Sequence, residues 1–480
     1  MKCVLRKLRN GKSPGPDGTP PDYWKALSYN EEALQQITDF ANICWVTKRT
    51  PVEWHTALVT AIHKKGRTDA CENYRPISLL NIGYKVFAAL LHSRLVSGGA
   101  EERLTQSQYG FRSGYSTQDA IFVLRRKIEA ARAQRNGRLS ALALDWKMAF
   151  DSVDPAAMIV GLRRFGLPEH FLDVIKSIYA ERSFKVRDCG YTSASRPQAA
   201  GISQGCPLSP LLFVVIMSVV MQDALGQLQL ADQLFLERGD LAALLYADDT
   251  LLLGSNASSV ERYLLAVGEA GRNFGLQLHA DKFQLLQIGK DGRIHTSNGT
   301  AIEARESMVY LGALITTDGR IQPELARRGA AHTDFRALSK VWTHAALSRA
   351  PKVQLLKATI QAKLAYGLAT AWLNAAERRR LDGFYIRCLR KIWDIKPAFI
   401  SRTSNAAVLL HARERPITEF LQKQQVALFR RVAAAPEGCL LRDATFCKGS
   451  LRPFTDMYVR RRGRPNLEWA SEVTKILHLH

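Results

Sequence analysis

The fold is decided by the stretch Leu241-Ala-Ala-Leu-Leu-Tyr-Ala-Asp-Asp-Thr-Leu-Leu-Leu253. It places two adjacent carboxylates, Asp248 and Asp249, between two short apolar runs. Such runs are typical of buried strands, so the stretch predicts a β-hairpin with both acids at its tip. Burying like charges together is costly, because each raises the pKa of the other and desolvation adds to the effect. A bound divalent cation removes that cost, whereas a polar turn exposed to solvent is the alternative interpretation.

A third acid ends another apolar run. Residues 139–144 are nearly all apolar and stop at Asp145. Mg²⁺ prefers oxygen ligands and is usually held by carboxylates together with substrate phosphates. Asp145, Asp248 and Asp249 therefore predict a site for two Mg²⁺ ions, with Mn²⁺ as an alternative, ~3.5–4 Å apart. In such a site one ion activates an attacking 3′-hydroxyl and the other holds a triphosphate.

The charge of the chain is concentrated in its last third. The formal net charge is +23, and residues 320–480 contain 30 basic and 12 acidic side chains. This imbalance indicates a polyanionic partner, and nucleic acid fits better than an anionic membrane. The cysteines are scattered, no apolar signal segment follows the basic N-terminus, and the apolar run 211–221 is too short to span a bilayer. We therefore expect a soluble intracellular protein in a reducing compartment, and no membrane partner.

The 480 residues predict more than one domain. The apolar patterns predict a strand near 58–64 and helices over 77–96, 118–135 and 211–224. After residue 320, segments rich in Ala, Leu and Arg predict a helical region.

Several segments resemble the motifs of reverse transcriptases, especially those of non-LTR (LINE-like) retrotransposons. Motif A is matched by Leu142-Ala-Leu-Asp-Trp-Lys-Met-Ala-Phe-Asp151, motif B by Gly201-Ile-Ser-Gln-Gly-Cys-Pro-Leu-Ser-Pro-Leu-Leu-Phe213 and motif C by Leu245-Tyr-Ala-Asp-Asp249. LINE-type segments are matched by Lys12-Ser-Pro-Gly-Pro-Asp-Gly-Thr-Pro20, Asn73-Tyr-Arg-Pro-Ile-Ser-Leu-Leu80, Gln108-Tyr-Gly-Phe-Arg112 and Tyr310-Leu-Gly312. All stand in family order, across roughly residues 10–400.

The resemblance implies an α+β fold shaped like a right hand, with fingers, a palm built on an antiparallel sheet, and a thumb. We expect an N-terminal segment leading into the fingers over 1–44 and the fingers and palm over 45–318. A helical thumb would follow over 319–400, and a basic C-terminal extension over 401–480.

The resemblance also implies the reaction, which is Mg²⁺-dependent addition of dNTPs to a DNA 3′-hydroxyl on an RNA template. The primer would be DNA or nicked target DNA. Phe150 would exclude a 2′-hydroxyl, which favours dNTPs, although it could also be a simple core residue. The resemblance also assigns Gln204 and Gly205 of motif B and Tyr246 of motif C to the substrate. Lys64 and Arg75 would bind the triphosphate, unless one of them is only a solvated surface residue.

Motif D is the weakest match. In Gly275-Leu-Gln-Leu-His-Ala-Asp-Lys-Phe283, His279 and Phe283 replace the family's Asn and Thr, while Lys282 is retained. The resemblance implies that Lys282 protonates the departing pyrophosphate as a general acid. The two replacements put the geometry of this loop in doubt more than its chemistry.

Two basic clusters are candidates for binding nucleic acid. Arg378, Arg379 and Arg380, with Arg387, Arg390 and Lys391, lie where the family's thumb tracks the template–primer duplex. Alternatively, each cluster is a solvated helix face. In Arg460-Arg-Arg-Gly-Arg-Pro465, Arg462 and Arg464 resemble a minor-groove hook, whereas a basic connector or a nuclear-localisation patch is the plainer interpretation.

Two other functions stay open at this stage. A group II intron-type reverse transcriptase and maturase would share the palm, although the segments starting at Lys12 and Asn73 favour the LINE type. The second is a nucleic-acid-binding relic that has lost catalysis, and the three intact acids argue against it. No endonuclease, zinc-knuckle or RNase H pattern is apparent, so we expect either a polymerase fragment or a product whose primer-generating nick comes from elsewhere. A nuclear location would suit such a function.

Overall fold

A computed structural model describes residues 1–64, 66–289, 292–327, 329–344, 346–453 and 468–478. It mixes helices and strands, as the sequence predicts. The N-terminal elements are α1 (Lys2–Arg6), α2 (Pro21–Leu27), α3 (Glu31–Thr47), β1 (Thr56–His63), β2 (Tyr74–Leu79), α4 (Ile82–Ser97) and α5 (Thr117–Ala133).

The middle of the chain alternates strands and helices. In order these are β3 (Leu139–Leu144), α6 (Ala149–Ser152), α7 (Pro155–Phe165), α8 (Glu169–Tyr179), β4 (Ser183–Asp188), β5 (Tyr191–Thr192), β6 (Arg196–Pro197), α9 (Ser209–Gly226), α10 (Leu230–Glu237), β7 (Leu241–Tyr246), β8 (Asp249–Gly254), α11 (Ala257–Arg272), β9 (Gln284–Ile288), β10 (Ile294–His295), β11 (Ala301–Ile302), β12 (Ala304–Arg305), β13 (Ser307–Tyr310) and β14 (Ala313–Thr316).

The described part of the chain after residue 320 is helical, which confirms the prediction for this region. Its elements are α12 (Gln322–Arg327), α13 (Ala330–Ala337), α14 (Ser339–Thr343), α15 (Arg349–Leu356), α16 (Ala362–Ala365), α17 (Ala375–Ile392), α18 (Ala398–Ser401), α19 (Asn405–Ala412), α20 (Ile417–Ala434), α21 (Leu440–Asp443) and α22 (Trp469–His478). A π-helical turn, Lys357–Gln361, joins α15 to α16.

The central sheet has the strand order β12-β9-β3-β8-β7. Strand β3 lies antiparallel to both β8 and β9, and β7 and β8 form an antiparallel hairpin. The edge strand β12 pairs with β9 in parallel. The strand prediction for 139–144 and the hairpin prediction for 241–253 are confirmed. Strands β3, β7 and β8 are mostly apolar and buried because both faces of the sheet are covered.

Different helices cover the two faces of the central sheet. Helices α7, α9 and α11 pack together in one core cluster with the residues of one sheet face. Helix α5 packs on the other face, in a second core cluster that also contains residues of α20 and α22. Helix α9 is long and apolar enough to cross a membrane by length and composition, but 72% of its residues are buried inside the protein. It is thus a core helix of this fold.

A smaller N-terminal sheet has the order β2-β1-β4-β5, with β6 also paired to β4. The helix predicted over 77–96 starts at Ile82, and residues 74–79 form strand β2 instead. Pairing with β1 explains the difference, because residues 77–79 lie antiparallel to Leu58, Val59 and Thr60 and use their backbone groups in the sheet. Strand β2 is the edge of its sheet, which is where a proline within a strand is tolerated.

Packing in the C-terminal region crosses the boundary expected at residue 400. A third core cluster runs from Ile321 to Leu421 and so joins α19 and the start of α20 to the helices before residue 400. The rest of α20 packs with α5 and the central sheet, as do α21 and α22. The described part of residues 401–480 therefore contributes side chains to both of these core clusters.

Candidate active site

The strand register brings the acids to one end of the central sheet. Leu144 at the end of β3 pairs with Thr250, and Tyr246 pairs with Asp249 across the hairpin. Asp145 follows Leu144 directly, so it lies beside Asp249. Ala247 and Asp248 form the turn, and Ala247 has a left-handed backbone conformation with φ of 58°. The three acids singled out in the sequence thus meet at adjoining strand ends.

The two carboxylates of the turn bind protons more tightly than free carboxylates do. Burial raises the pKa of Asp249 to about 6, and the negative charges of Asp248 and Asp145 add to the rise. The pKa of Asp248 is also raised, first by burial and then by Asp145, while Arg75 opposes the shift. Asp249 is nevertheless open to the cleft, so solvent screens part of this repulsion. The arrangement accumulates negative charge that a cation would neutralise.

Lys282 lies against the first of these acids. Its Nζ is 2.9 Å from Oδ2 of Asp145, and its side chain is 59% exposed. The short helical turn Ala280–Lys282 positions it, and the backbone N–H of His279 donates to the Asp145 carbonyl at 2.8 Å. Phe283 is buried in the core below. The two departures from motif D are therefore accommodated, because His279 acts through its backbone and Phe283 packs.

Phe150 lies on the short helix α6 that follows β3. Its ring stacks on Phe213 with centroids 4.2 Å apart and planes 18° from parallel. Phe111 meets the same ring edge-on at 6.3 Å. The Phe150 carbonyl accepts a hydrogen bond from Ile202 N–H at 2.6 Å, which ties α6 to the loop before α9. Phe150 is half-buried, so its orientation is fixed by packing while part of the ring stays open.

The loop before α9 approaches strand β2 at Gly205. This glycine has φ of 123°, and a Cβ on it would lie 2.5 Å from the Ser78 carbonyl oxygen. Ser78 N–H donates to the Gln204 carbonyl at 2.9 Å. The Gln204 side chain donates from Nε2 to Oδ2 of Asp151 at 2.9 Å. The backbone of this loop therefore packs closely against β2, and it leaves no room for a side chain at position 205.

Asp151 is a residue of the site that the sequence analysis did not single out. Burial raises its pKa, while Gln204 and Lys64 oppose the shift. It fixes which way the Gln204 amide points, so the amide oxygen is left for another partner. Its position directly after Phe150, as a second acid in motif A, was the available signal.

Lys64 and Arg75 extend from the N-terminal sheet toward the acids. Arg75 lies on β2 opposite Ile62 of β1, and the backbone N–H of Lys64 donates to the Asn73 carbonyl at 2.7 Å. Both side chains are exposed. The positive charge of Arg75 partly offsets the rise in the pKa of Asp248. The charge of Lys64 does the same for Asp151. Two basic groups thus face two acidic groups across one cleft.

A cavity of about 310 Å³ opens beside the acids. Its lining includes Asp145 and Asp249, together with Arg305, Tyr310 and Leu311. Tyr246 is half-buried next to Asp249, and its pKa is raised by burial and by its neighbours Tyr366 and Asp249. The site therefore combines an acidic wall, basic side chains and a concave space.

A known protein family matches the part of the chain that contains this site. The family described as "Reverse transcriptase (RNA-dependent DNA polymerase)" matches residues 62–315, more than half of the chain, and this span contains all three acids. The chain belongs to the reverse transcriptase family.

Several of its curated relatives are named as RNA-directed DNA polymerases of mobile elements or transposons. The polymerase of the mobile element jockey from Drosophila melanogaster is 29% identical over 67% of this chain and 35% of its own length. The probable polymerase of transposon X-element from the same species is 32% identical over 44% of this chain and 23% of its own length. The Pol polyprotein of retrotransposable element R2 from Popillia japonica is 25% identical over 75% of this chain and 52% of its own length. The chain spans about a third of the length of the jockey relative.

The arginines of this reverse transcriptase that were predicted to bind nucleic acid do not all face solvent. Arg378 is half-buried, stacks over Trp372 at 4.3 Å and donates from Nε to the Leu373 carbonyl at 3.0 Å. Arg390 is buried and donates to the carbonyls of Lys396 and Thr403. The exposed members of the cluster are Arg379, Arg380, Arg387 and Lys391. Arg462 and Arg464 lie outside the described residues.

No three side chains of the ligand type close around a single point in the described ranges. Asp145, Asp248 and Asp249 instead form an open acidic wall. This is what a site shared with substrate phosphates requires, because Mg²⁺ is usually held by one or two carboxylates with phosphates and water completing its shell. The raised pKa values of Asp248 and Asp249 also fit a cation, since carboxylates this close repel one another without one.

Proposed function

We propose that the chain catalyses RNA-directed DNA synthesis, adding dNTPs to a DNA 3′-hydroxyl on an RNA template, as part of a non-LTR retrotransposon. One observation carries the proposal. Asp145, Asp248 and Asp249 meet at adjoining ends of β3 and the β7–β8 hairpin, in the span that matches the reverse transcriptase family. The names of the jockey and X-element relatives support RNA as the template and DNA as the product.

In this proposal the molecule is a right hand. The central sheet with α5, α7, α9 and α11 is the palm, and the N-terminal sheet carrying Lys64 and Arg75 belongs to the fingers. The helices of the third core cluster, Ile321 to Leu421, form the thumb. Along the chain, β1 and β2 of the fingers precede the palm, β4 to β6 return to the fingers sheet between α8 and α9, and the thumb comes last.

Different residues of the chain would bind the metal ions, the triphosphate and the incoming nucleotide. Asp145, Asp248 and Asp249 would hold two Mg²⁺ ions, or Mn²⁺ in their place, which supply Lewis-acid activation of the 3′-hydroxyl and of the triphosphate. Lys64 and Arg75 bind the triphosphate, since both side chains are exposed on the cleft. Gln204, held by Asp151, presents its amide to the incoming nucleotide, and Tyr246 and Gly205 shape the wall beside it.

Lys282 is proposed as the general acid for pyrophosphate. In the structure its Nζ is paired with Asp145, so it has to move from that carboxylate to the leaving group. Binding of a cation by Asp145 would weaken the pair and favour this movement. Its exposed side chain has room for the change.

The duplex of template and primer would contact the exposed basic residues Arg379 and Arg380 through its phosphates. Such contacts are independent of sequence and weaken as salt increases. Arg378 supports them indirectly, because its stacking on Trp372 holds the first turn of α17. Arg462 and Arg464 stay proposals as minor-groove contacts, and a nuclear location is proposed with them.

Primer extension tests the proposed function. The purified chain should extend an oligo(dT) primer on poly(rA) with dTTP and Mg²⁺. The same primer on poly(dA), and a reaction with UTP, show whether RNA templates and dNTPs are preferred. Tight binding of the template–primer without extension in either Mg²⁺ or Mn²⁺ would contradict the proposal and identify the chain as a silent nucleic-acid-binding relic.

Replacing Phe150 with alanine should weaken the selection against rNTPs. We expect the ratio of kcat/KM for dTTP to that for UTP to fall by at least about 10-fold, because a missing side chain in a steric gate removes discrimination of this size. The ratio is insensitive to a loss of folded protein, which affects both substrates equally. Phe150→Tyr keeps the ring that stacks on Phe213 and should retain the selection. An unchanged ratio in Phe150→Ala would identify the ring as core packing only.

A further inference from the structure

We propose that Gln108 is a positioning residue for the metal-binding acids, because it holds the backbone of the turn that carries Asp248 and Asp249. The proposal rests on the proposed function for the metal site that it serves. Together with Gly110, Gln108 forms what we name the turn bracket, which consists of residues 107–110. Nothing in the amino-acid pattern beyond the short match at Gln108-Tyr-Gly-Phe-Arg112 points to this role.

The turn bracket pairs with the outer edge of β7. Strand β7 is the last strand of the central sheet, so its outer backbone groups need partners. Tyr109 N–H donates to the Leu245 carbonyl at 2.8 Å, and Leu245 N–H donates to the Ser107 carbonyl at 2.9 Å. These two bonds lie just before the acidic turn. They fix the bracket in register with the hairpin tip.

The Gln108 side chain then reaches the turn itself. It is fully buried, and its Oε1 accepts hydrogen bonds from Ala247 N–H at 3.1 Å and from Gly110 N–H at 2.8 Å. Ala247 has φ of 58°, a left-handed conformation that is rare for residues with a Cβ. Such a conformation persists where its surroundings enforce it. The bond from Ala247 N–H to Gln108 is one such constraint, and it acts on the residue next to Asp248.

The same side chain carries a cost that core packing alone does not explain. Its Nε2 is buried and has no hydrogen-bond partner among the residues that the structure describes, and a buried polar atom without a partner is unfavourable. An apolar side chain would fill the space without that cost but could not accept from Ala247. Backbone strain and unsatisfied polar atoms both concentrate at functional sites. The combination indicates that the oxygen is kept for the turn.

Gly110 is the steric half of the turn bracket. A Cβ at this position would lie 2.4 Å from the Ala247 nitrogen and 2.9 Å from the Tyr246 carbonyl carbon. Both atoms belong to the hairpin backbone, so a larger residue has to displace the turn. Gln108 therefore binds the turn while Gly110 allows it to pack closely, and a change at either position should move Asp248.

The test compares Gln108→Met with Gln106→Met. Met has a similar length but lacks the amide oxygen. Gln106 lies two positions earlier and is exposed, so the same substitution there should leave the turn unchanged. Two titrations are made on each protein bound to template–primer. One measures the Mg²⁺ concentration that gives half the maximal extension rate, and the other measures Mn²⁺ binding by electron paramagnetic resonance, which needs no catalysis.

Gln108→Met should raise the half-saturating Mg²⁺ concentration and the Kd for Mn²⁺ by about 10-fold, since residues that orient metal ligands have effects of this size. Its Kd for template–primer should match that of Gln106→Met. Gly110→Ala should shift the metal dependence in the same direction, because its Cβ would press on the Ala247 nitrogen. In both the Mg²⁺ and the Mn²⁺ titration, Gln106→Met should match the unmodified chain.

Three results would overturn the proposal. The first is a normal metal dependence in Gln108→Met, whatever its maximal rate. The second is a parallel loss of template–primer binding, which would indicate a general role in folding. The third is the absence of Mn²⁺ binding by the unmodified chain. Failure of the proposed function is distinguishable, because a chain that binds Mn²⁺ but does not extend a primer still reports the effect of Gln108 in the second titration.

Discussion

Replacing Asp248 or Asp249 with asparagine is expected to lower the rate of primer extension by on the order of 10³-fold or more. The substitution keeps the shape of the turn but removes one negative charge from the acidic wall that would hold the metal ions. Metal ions stabilise transition-state charge by several kcal/mol, and about 4 kcal/mol corresponds to ~10³ in rate. The measurement is steady-state extension of oligo(dT) on poly(rA), with template–primer affinity determined on the same preparations.

Asp240→Asn is the matched control for these variants. Asp240 is exposed and directly precedes β7, at the opposite end of the same hairpin. It is therefore next to the same strand but far from the acidic turn. Its extension rate should stay close to that of the unmodified chain. Equal losses in Asp240→Asn and Asp248→Asn would contradict a metal site at the turn, since they would indicate general sensitivity of the hairpin to a lost charge.

The stability of the acidic variants separates catalysis from folding. The pKa of Asp249 is raised to about 6 in the folded chain, above its ordinary value, so the folded state binds this proton more tightly than the unfolded state does. The contribution of Asp249 to stability is therefore lost as the pH rises through about 6. At neutral pH without metal, Asp249→Asn should unfold at the same or a higher temperature than the unmodified chain. Lost activity would then not be a consequence of lost structure.

The central hairpin could be predicted from the sequence because its signal is local. The apolar runs on either side of Asp248 and Asp249 have the length of strands, and the acids interrupt them where a turn must lie. Asp145 could be predicted for the same reason, since it ends the apolar run of β3. Their meeting required only that β3 and the hairpin share one sheet, which the resemblance to motifs A and C implied.

Strand β2 could not be predicted from the same kind of pattern. Residues 77–79 are continuous in apolar spacing with the helix that follows, so periodicity alone extends the helix backward. The pairing of these residues with β1 makes them a strand instead. Pairing between distant segments is information that a local pattern does not contain.

Gln108 and Asp151 could not be predicted as site residues because they act on other protein groups. Gln108 contacts the backbone of Ala247, which lies 139 positions away in the chain. Asp151 contacts Gln204 across 53 positions. The sequence shows which residues carry reactive groups, whereas residues that hold those groups in place are recognised from contacts in the folded chain.

The region after residue 400 shows the same limit on a larger scale. Its high positive charge indicated a basic extension, and net charge reports on partners and not on fold. The structure buries Trp469 of α22 completely, against Phe122 of α5 at 4.7 Å and Phe429 of α20. Helix α5 in turn packs on the central sheet. The last described helix is therefore two contacts away from the strand that carries Asp145.

Trp469→Ala is accordingly expected to destabilise the chain by about 3–5 kcal/mol, the usual cost of truncating a buried tryptophan. The ring would leave a cavity among aromatic side chains, and the Ala369 carbonyl would lose the hydrogen bond that the indole Nε1 donates at 2.8 Å. The buried ion pair of Arg126 and Glu129 would lose packing as well, because the Arg126 guanidinium lies over the indole ring at 5.4 Å. Urea unfolding followed by circular dichroism gives the free-energy difference.

Phe399→Ala provides the comparison, because Phe399 is an aromatic residue of the same region that is 76% exposed. Its loss should change the free energy of unfolding by less than about 0.5 kcal/mol. A loss below about 1 kcal/mol in Trp469→Ala would contradict the packing of α22 into the core, since a fully buried tryptophan costs more. A large loss, accompanied by greater protease sensitivity of α5, would show that the C-terminal helix supports the sheet on which the three acids lie. Truncation before residue 468 would then remove activity without touching the active site.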